Sequence, residues 1–247
     1  MNAFIGVAKG ELGDFFQTYL QENFGVPLEI NGPLTQLYEN GDLRVKFRVM
    51  RSRDVPRGFY FRESPLDYGL TGRDVAVDEL TEEIYSESTG NLIPAICLGA
   101  NQFFGVQKTL EEETETLGFP ALRGRVVLLG RDGYTEKKDR LTVVVNDYYA
   151  NLARFRLAAD GLQPRDYDLF VCQGSEEGYL SGGQADLAVC SKYSGKTTRK
   201  ENGNCANGDG PKIIEVATII DTYPVVLAKS MDFRFPDLDN IFARSQK

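Results

Sequence analysis

The chain has 247 residues, 42% of them hydrophobic and 26% charged, which is enough for one large domain or two modest ones with proper cores. A net charge of −8 and a pI near 4.8 exclude a dedicated nucleic-acid or anionic-membrane binder, whose contact surface must be basic. The absence of histidine removes serine–histidine and cysteine–histidine hydrolases, histidine-ligated zinc and histidine general bases, so any chemistry rests on carboxylates, Lys/Arg, hydroxyls, backbone dipoles or a bound metal.

In chain order, Phe4–Ala8 reads as a strand, Lys9-Gly10 as a turn and Glu11–Phe24 as a helix with Leu12, Phe15, Phe16, Tyr19, Leu20 and Phe24 near one face. Leu43–Met50 alternates as a strand. Asp54-Val55-Pro56 opens the next helix, with Asp as N-cap and Pro in the first turn. Leu66–Leu70 is a short strand, and around the apolar run Asn91–Leu98 the chain crosses to a second lobe. Thr109–Thr116 is an acidic helical patch whose Glu111–Glu115 run forms a solvated face. Arg125–Gly130 and Leu141–Val145 are strands, Asn151–Leu162 a helix closed by Gly161, and Leu169–Gln173 a strand. Residues 174–184 form a short amphipathic link, and Lys200–Pro211, rich in Gly and Asn, a loop. Lys212–Ile220 and Tyr223–Ala228 are strands that return to the first lobe. The alternation predicts an α/β layout with mostly parallel sheets.

Twice an apolar strand carries a small acidic signature and runs on into a glycine-containing turn. The first copy is Leu66-Asp67-Tyr68-Gly69-Leu70-Thr71-Gly72, leading into Arg73-Asp74-Val75. The second is Ala185-Asp186-Leu187-Ala188-Val189-Cys190, continuing through Ser191-Lys192-Tyr193 to Ser194-Gly195-Lys196-Thr197-Thr198. Backbone N–H groups, hydroxyls and one cation after a buried strand suit a phosphate. The repetition predicts two related lobes with a cleft between them. Asp67 and Asp186 read as catalytic carboxylates or as strand-end caps. Cys97, Cys172, Cys190 and Cys205 are spread out with no CxxC pair, so reduced, structural cysteines are expected. Residues 1–7 lack a basic n-region before a long apolar stretch, and no run approaches the roughly 18 to 20 apolar residues of a membrane span. A cytoplasmic location is expected.

Four blocks resemble the catalytic domain of ATP phosphoribosyltransferase. Ile5-Gly6-Val7-Ala8-Lys9-Gly10-Glu11-Leu12 is similar to that family's opening strand and Pro-Lys-Gly-Arg-Leu turn. Arg51-Ser52-Arg53-Asp54-Val55-Pro56, with the Leu66–Val75 signature, resembles its Asp-Val-Pro helix start and Asp-Leu-Gly-Ile-Thr-Gly strand. Asn151-Leu152-Ala153-Arg154 is similar to its Asn-Leu-Thr-Arg helix. Ala185–Thr198 with Glu201-Asn202-Gly203 resembles its phosphoribosyl-binding stretch. The blocks are collinear over roughly residues 4 to 230. The length matches the short form, which works with a separate regulatory subunit.

The resemblance implies a two-lobed, type II periplasmic-binding-protein-like fold with a double crossover. Lobe I would comprise residues 1–98 plus 212–247, and lobe II residues 99–211 with the phosphoribosyl-binding turn. It implies transfer of ribose 5-phosphate from phosphoribosyl pyrophosphate (PRPP) to a ring nitrogen of ATP or a related heterocycle, with Mg²⁺ and release of pyrophosphate. Ser194, Gly195, Lys196, Thr197 and Thr198 would cradle the 5-phosphate. Lys9 and Glu176 are the candidate catalytic side chains, and Glu11, Arg51, Arg53, Thr71, Gly72 and Tyr149 would meet pyrophosphate or acceptor. Thr71-Gly72 equally suits a simple turn, and Tyr148, Tyr149 and Tyr193 equally suit core packing. A homodimer or a hetero-complex is implied. The chain departs from the family at Cys190, where an acid is usual, at Glu11, where arginine is usual, and at Tyr148-Tyr149-Ala150 in place of Lys-Tyr-Pro. One residue is inserted around Thr198-Arg199-Lys200, and the loop Asn204–Pro211 extends the motif. A retained donor site with a changed acceptor, partly lost catalysis, a binding module and a partner-dependent subunit all remain open at this point.

Overall fold

In the computed structural model the described residues are 2–60, 66–86, 91–96, 105–132, 140–193, 212–228 and 238–243. Strand β1 (Asn2–Ala8) feeds helix α1 (Glu11–Phe24), whose buried side chains Phe15, Phe16, Tyr19, Leu20 and Phe24 follow the 3.6-residue period. Gly13 lets α1 sit close to the sheet. A Cβ there would lie 2.5 Å from the Ala8 carbonyl oxygen and 2.8 Å from Ile30 Cγ2. Gly25, left-handed at φ 66°, ends the helix. Strands β2 (Thr35–Asn40) and β3 (Leu43–Met50) form a hairpin, and β3 alternates strictly, burying Leu43, Val45, Phe47 and Val49.

Next come α2 (Asp54–Arg57), the fully buried β4 (Tyr68–Gly72), α3 (Arg73–Leu80) and the hairpin β5 (Thr81–Ser86)–β6 (Asn91–Ile96). Asp54 begins α2 and Arg53 takes the N-cap position, one residue away from the expected cap. Then follow β7 (Gly105–Thr109), α4 (Glu111–Thr116), β8 (Gly124–Arg131), β9 (Leu141–Asn146), α5 (Ala150–Ala159), β10 (Tyr167–Cys172) and α6 (Glu176–Ser181). The last described elements are β11 (Leu187–Tyr193), β12 (Ile213–Thr222), β13 (Pro224–Ala228) and α7 (Leu238–Ala243).

The chain divides into two units. The first gathers Met1–Glu79, Leu98–Arg123 and Tyr223–Lys247; the second gathers Leu80–Cys97 and Gly124–Thr222. In the first, the sheet order is β2-β3-β1-β4-β13-β7, with β3, β1 and β4 parallel and the remaining pairs antiparallel. In the second, the order is β10-β9-β11-β8-β12, with β10, β9 and β11 parallel and the β11–β8 and β8–β12 pairs antiparallel. Both units therefore lay three parallel strands in the order second-first-third and flank the third with an antiparallel strand. The expected relatedness of the two lobes is visible in this shared order.

The boundaries differ from the expected 1–98, 99–211 and 212–247. Ile213–Thr222 does not return to the first unit: as β12 it covers the edge of β8 left open by β11. Hydropathy marks a strand but not which ladder it completes, and an open edge of β8 is the stronger demand. Only at Tyr223 does the chain rejoin the first unit. The stretch after Leu98 also belongs there, because β7 pairs with β13, whereas β6 pairs with β5 in the second unit. Within α4, Thr114 is buried and Arg123 is held by Glu111 at 2.6 Å and Glu115 at 2.5 Å, so the acidic run is only in part a solvated face.

The first core closes over α7. Phe242 lies 5.0 Å from Phe24 and 6.5 Å from Phe47, ring centre to ring centre, while Leu238 and Ile241 are buried beside it. Lys108 on β7 ties this helix down, donating to Asp239 at 3.1 Å and to the buried Tyr19 hydroxyl at 3.2 Å. Burial opposes the Lys108 ammonium, but its bonds and charge attraction to Tyr19 and Asp239 outweigh that and lift the group above its ordinary value. Burial also raises the Tyr19 phenol. Both groups hold their protons more tightly folded than unfolded, so their contribution is complete below about pH 10 and is lost as pH rises further. Lys108→Met is expected to cost about 1 kcal/mol at pH 8, read as a lowered urea midpoint. A midpoint at the native value would contradict this.

Candidate functional site

In open α/β sheets, ligands meet the loops at the carboxyl ends of parallel strands. In the first unit these loops follow β1, β3 and β4. Lys9 is exposed, and its backbone N–H donates to the Met50 carbonyl at 2.9 Å, joining the ends of β1 and β3. Gly10, at φ 74°, turns the chain into α1. Glu11 and Asp14 supply negative charge to the first turn of α1, where helix dipoles favour anions.

Arg51 is exposed after β3, and its carbonyl accepts from the Asp54 N–H at 2.9 Å. Arg53 Nε is hydrogen-bonded to Glu79, whose other oxygen accepts from Arg57 Nε at 2.8 Å. Two guanidinium groups thus share one largely buried carboxylate. Thr71 is fully buried, and its hydroxyl donates to the Ser52 carbonyl at 3.1 Å. Its observed role is to fasten the end of β4 to the loop after β3. A Cβ at Gly72 would lie 2.5 Å from Asp74 Oδ1, so a larger residue there requires the Asp74 carboxylate to shift.

The second unit presents the loops after β9 and β10. Tyr149 is buried, 6.5 Å from the Tyr148 ring. Glu176 opens α6 and is buried with Oε1 accepting from Asn146 Nδ2 at 2.9 Å and from the Cys172 thiol at 3.7 Å. Asn146 Oδ1 in turn accepts from the Tyr148 N–H at 3.2 Å. Burial, then the nearby Glu176 charge, raises the Cys172 thiol, which is therefore protonated at neutral pH. Between β10 and α6 the turn uses Gly174 at φ 92° and Ser175 at φ 71°, a left-handed conformation that costs a non-glycine residue on the order of 1 kcal/mol. Ser175→Gly is accordingly expected to raise the urea midpoint by about 0.5 kcal/mol equivalent, strain relief being partly offset by a freer unfolded chain. A lowered midpoint would show that the serine side chain contributes more than its backbone strain removes.

The predicted residues thus fall into two sets. Lys9, Glu11, Arg51, Arg53, Thr71 and Gly72 stand at strand ends of the first unit, and Tyr149 and Glu176 at strand ends of the second. Ser194, Gly195, Lys196, Thr197 and Thr198 lie outside the described residues; the strand leading to them, β11, is as expected. Asn146 and Cys172 were missed, because an Asn and a Cys at strand ends carry no motif until the fold brings them to Glu176.

Asp67 and Asp186 occupy equivalent places away from these edges. Asp67 Oδ2 accepts from the Phe4 N–H at 2.8 Å, and the Asp67 N–H returns a bond to the Phe4 carbonyl at 2.8 Å. Asp186 does the same with Thr142, at 2.8 Å for each bond. Both pairs sit at the amino ends of parallel strands, so both acids clamp the register of neighbouring strands.

Among the described residues no group of three or more Asp, Glu or Cys side chains is gathered to hold a metal, and no helix is long and apolar enough to cross a membrane. No protein-family model and no curated protein matches the sequence. Among solved structures, a chain of the ATP phosphoribosyl transferase (HisG:HisZ) complex from Thermotoga maritima is similar at 20% identity and TM-score 0.62, over 98% of this chain and 96% of that one. XAC2383 from Xanthomonas citri, bound to ATP, is similar at 10% identity and TM-score 0.52, over 99% of this chain and 81% of that one. With the strand orders above, these likenesses give the fold: two α/β units of the type II periplasmic-binding-protein kind.

Proposed function

We propose that the chain is a phosphoribosyltransferase, moving ribose 5-phosphate from PRPP to a ring nitrogen of ATP or a related nitrogen heterocycle and releasing pyrophosphate. The observation that carries this reading is positional. The blocks resembling the phosphoribosyltransferase family around Lys9, Arg51–Arg53 and Thr71-Gly72 stand at the carboxyl ends of parallel strands, where open α/β sheets take ligands, and the block at Ala185–Tyr193 contains the strand that leads toward Ser194–Thr198. The whole-chain likeness to a subunit of the Thermotoga maritima complex supports the same reading and a hetero-complex as the working form.

The reaction has an oxocarbenium-like transition state, so the protein's work is to hold the 5-phosphate, orient the acceptor and stabilise charge. Ser194–Thr198 would hold the phosphate. Lys9 and Arg51 would meet pyrophosphate or nucleotide phosphates. The Glu176 carboxylate would lie toward the sugar, where positive charge develops. Mg²⁺, which the resemblance implies, would help neutralise the pyrophosphate charge as it departs.

A second reading is a PRPP- or small-molecule-binding module, or a subunit active only in a complex. It is favoured by Arg53 and Thr71, two proposed pyrophosphate contacts whose donors are engaged within the first unit. The test is pyrophosphate release from PRPP and Mg²⁺ with ATP, then with a panel of nucleotides and heterocycles, alone and with a regulatory chain added. Release with any acceptor supports the enzyme. PRPP binding without release under every condition supports the binding module and removes the enzyme.

A further inference from the structure

The two oxygens of Glu176 are treated unequally. Oε1 accepts from both Asn146 Nδ2 and the Cys172 thiol. Oε2 takes no hydrogen bond from any described residue and keeps some contact with solvent, although the residue is only 5% exposed. The amide of Asn146 is itself oriented: its oxygen is taken by the Tyr148 N–H, which turns the NH₂ group toward the carboxylate. The three side chains come from the end of β9, the end of β10 and the start of α6, on the edge where the strand-end loops lie.

An ionised carboxylate accepts and does not donate, so a fixed Oε2 that keeps contact with solvent suits an O–H donor and repels a phosphate. We propose that Asn146 and Cys172 are positioning residues that pin Oε1 of Glu176 so that Oε2 accepts a hydrogen bond from a ring hydroxyl of a bound sugar phosphate. The sugar rests on the phosphoribosyl reading; the pinned carboxylate does not. Glu176 touches the ligand, and Asn146 and Cys172 act through it.

The test is calorimetric binding of ribose 5-phosphate and of its 2-deoxy and 3-deoxy analogues. The native chain is expected to bind ribose 5-phosphate about tenfold more tightly than at least one analogue, as befits one charge-assisted hydrogen bond. In Asn146→Ala and Glu176→Gln the three sugars should bind within about twofold of one another, at the affinity the weaker analogue has for the native chain. Cys172→Ser, which keeps a donor, should retain the discrimination and Cys172→Ala should reduce it, and both variants are available if Asn146→Ala does not fold. Discrimination that survives in Asn146→Ala or is unaffected in Cys172→Ala overturns the positioning roles. Equal binding of all three sugars by the native chain overturns the inference and leaves the phosphoribosyl reading standing. No binding of any of them overturns both.

Discussion

Asp186→Ala is expected to lower the stability of the second unit by roughly 3 kcal/mol, and Asp67→Ala that of the first by about half as much. Asp186 is 2% exposed and accepts the Thr142 N–H; it also lies 3.5 Å from the Arg131 guanidinium. Truncation leaves a strand-end N–H without its acceptor and takes a carboxylate from a guanidinium whose side chain is only 18% exposed. Losing one partner of a buried charged hydrogen bond costs more than the bond's net worth, because the survivor keeps its desolvation penalty. Asp67 is less buried, so water can replace part of what it gives Phe4. Urea unfolding followed by circular dichroism separates the cases, with Asp186→Asn expected to recover part of the loss because its amide oxygen still accepts. A midpoint for Asp186→Ala within about 0.5 kcal/mol of native would show that the clamp is dispensable to β9 and β11.

The clamps also show what the sequence could and could not disclose. The repeated Leu-Asp and Ala-Asp signatures were legible as a repetition, and the repetition proved real in strand order and in hydrogen bonding. Their chemistry was not legible. A carboxylate beside an apolar strand reads as catalyst or cap until the ladder shows at which end of the strand it sits. Glu11–Phe24 was readable because its aromatic residues keep one helical face and Gly25 ends it. The strand β2 was not: Leu37 is exposed and the segment has no buried face of its own. Assignment of β12 to the second sheet depended on an open edge of β8, a tertiary demand that no local pattern records.

Of the site, the strand-end positions were legible and the partners were not. Arg51-Ser52-Arg53 announces cations after a strand, but Glu79 lies 26 residues beyond Arg53 and nothing local links them. Thr71 announces a hydroxyl, but burial decides that it faces the Ser52 carbonyl. The same holds for Asn146 and Glu176, 30 residues apart and joined only because β9 and β10 are parallel neighbours. Where a strand-end residue depends on its neighbour in the next loop, the sequence supplies the type and the topology supplies the meaning.

Glu176→Gln is the substitution with the largest expected effect on activity, a fall of about 100-fold or more in the rate of pyrophosphate release with little change in melting temperature. The replacement keeps size and can still accept from Asn146, so the fold has little to lose. It removes the negative charge proposed to lie near the ribose as positive charge develops there. The same variant has a second readout that needs no substrate. Because Glu176 helps to raise the Cys172 thiol, its neutralisation should move that thiol back toward its ordinary value and increase the thiolate fraction at a given pH. Alkylation of Cys172 near pH 8, followed site by site by mass spectrometry because Cys97, Cys190 and Cys205 also carry sulfur, should therefore quicken in Glu176→Gln. Faster alkylation with unchanged pyrophosphate release would leave the carboxylate where the structure puts it and remove it from catalysis. Slower release with unchanged alkylation would place Glu176 in the reaction while breaking its link to Cys172. If both change in the directions given, one carboxylate joins the strand-end cluster to the chemistry.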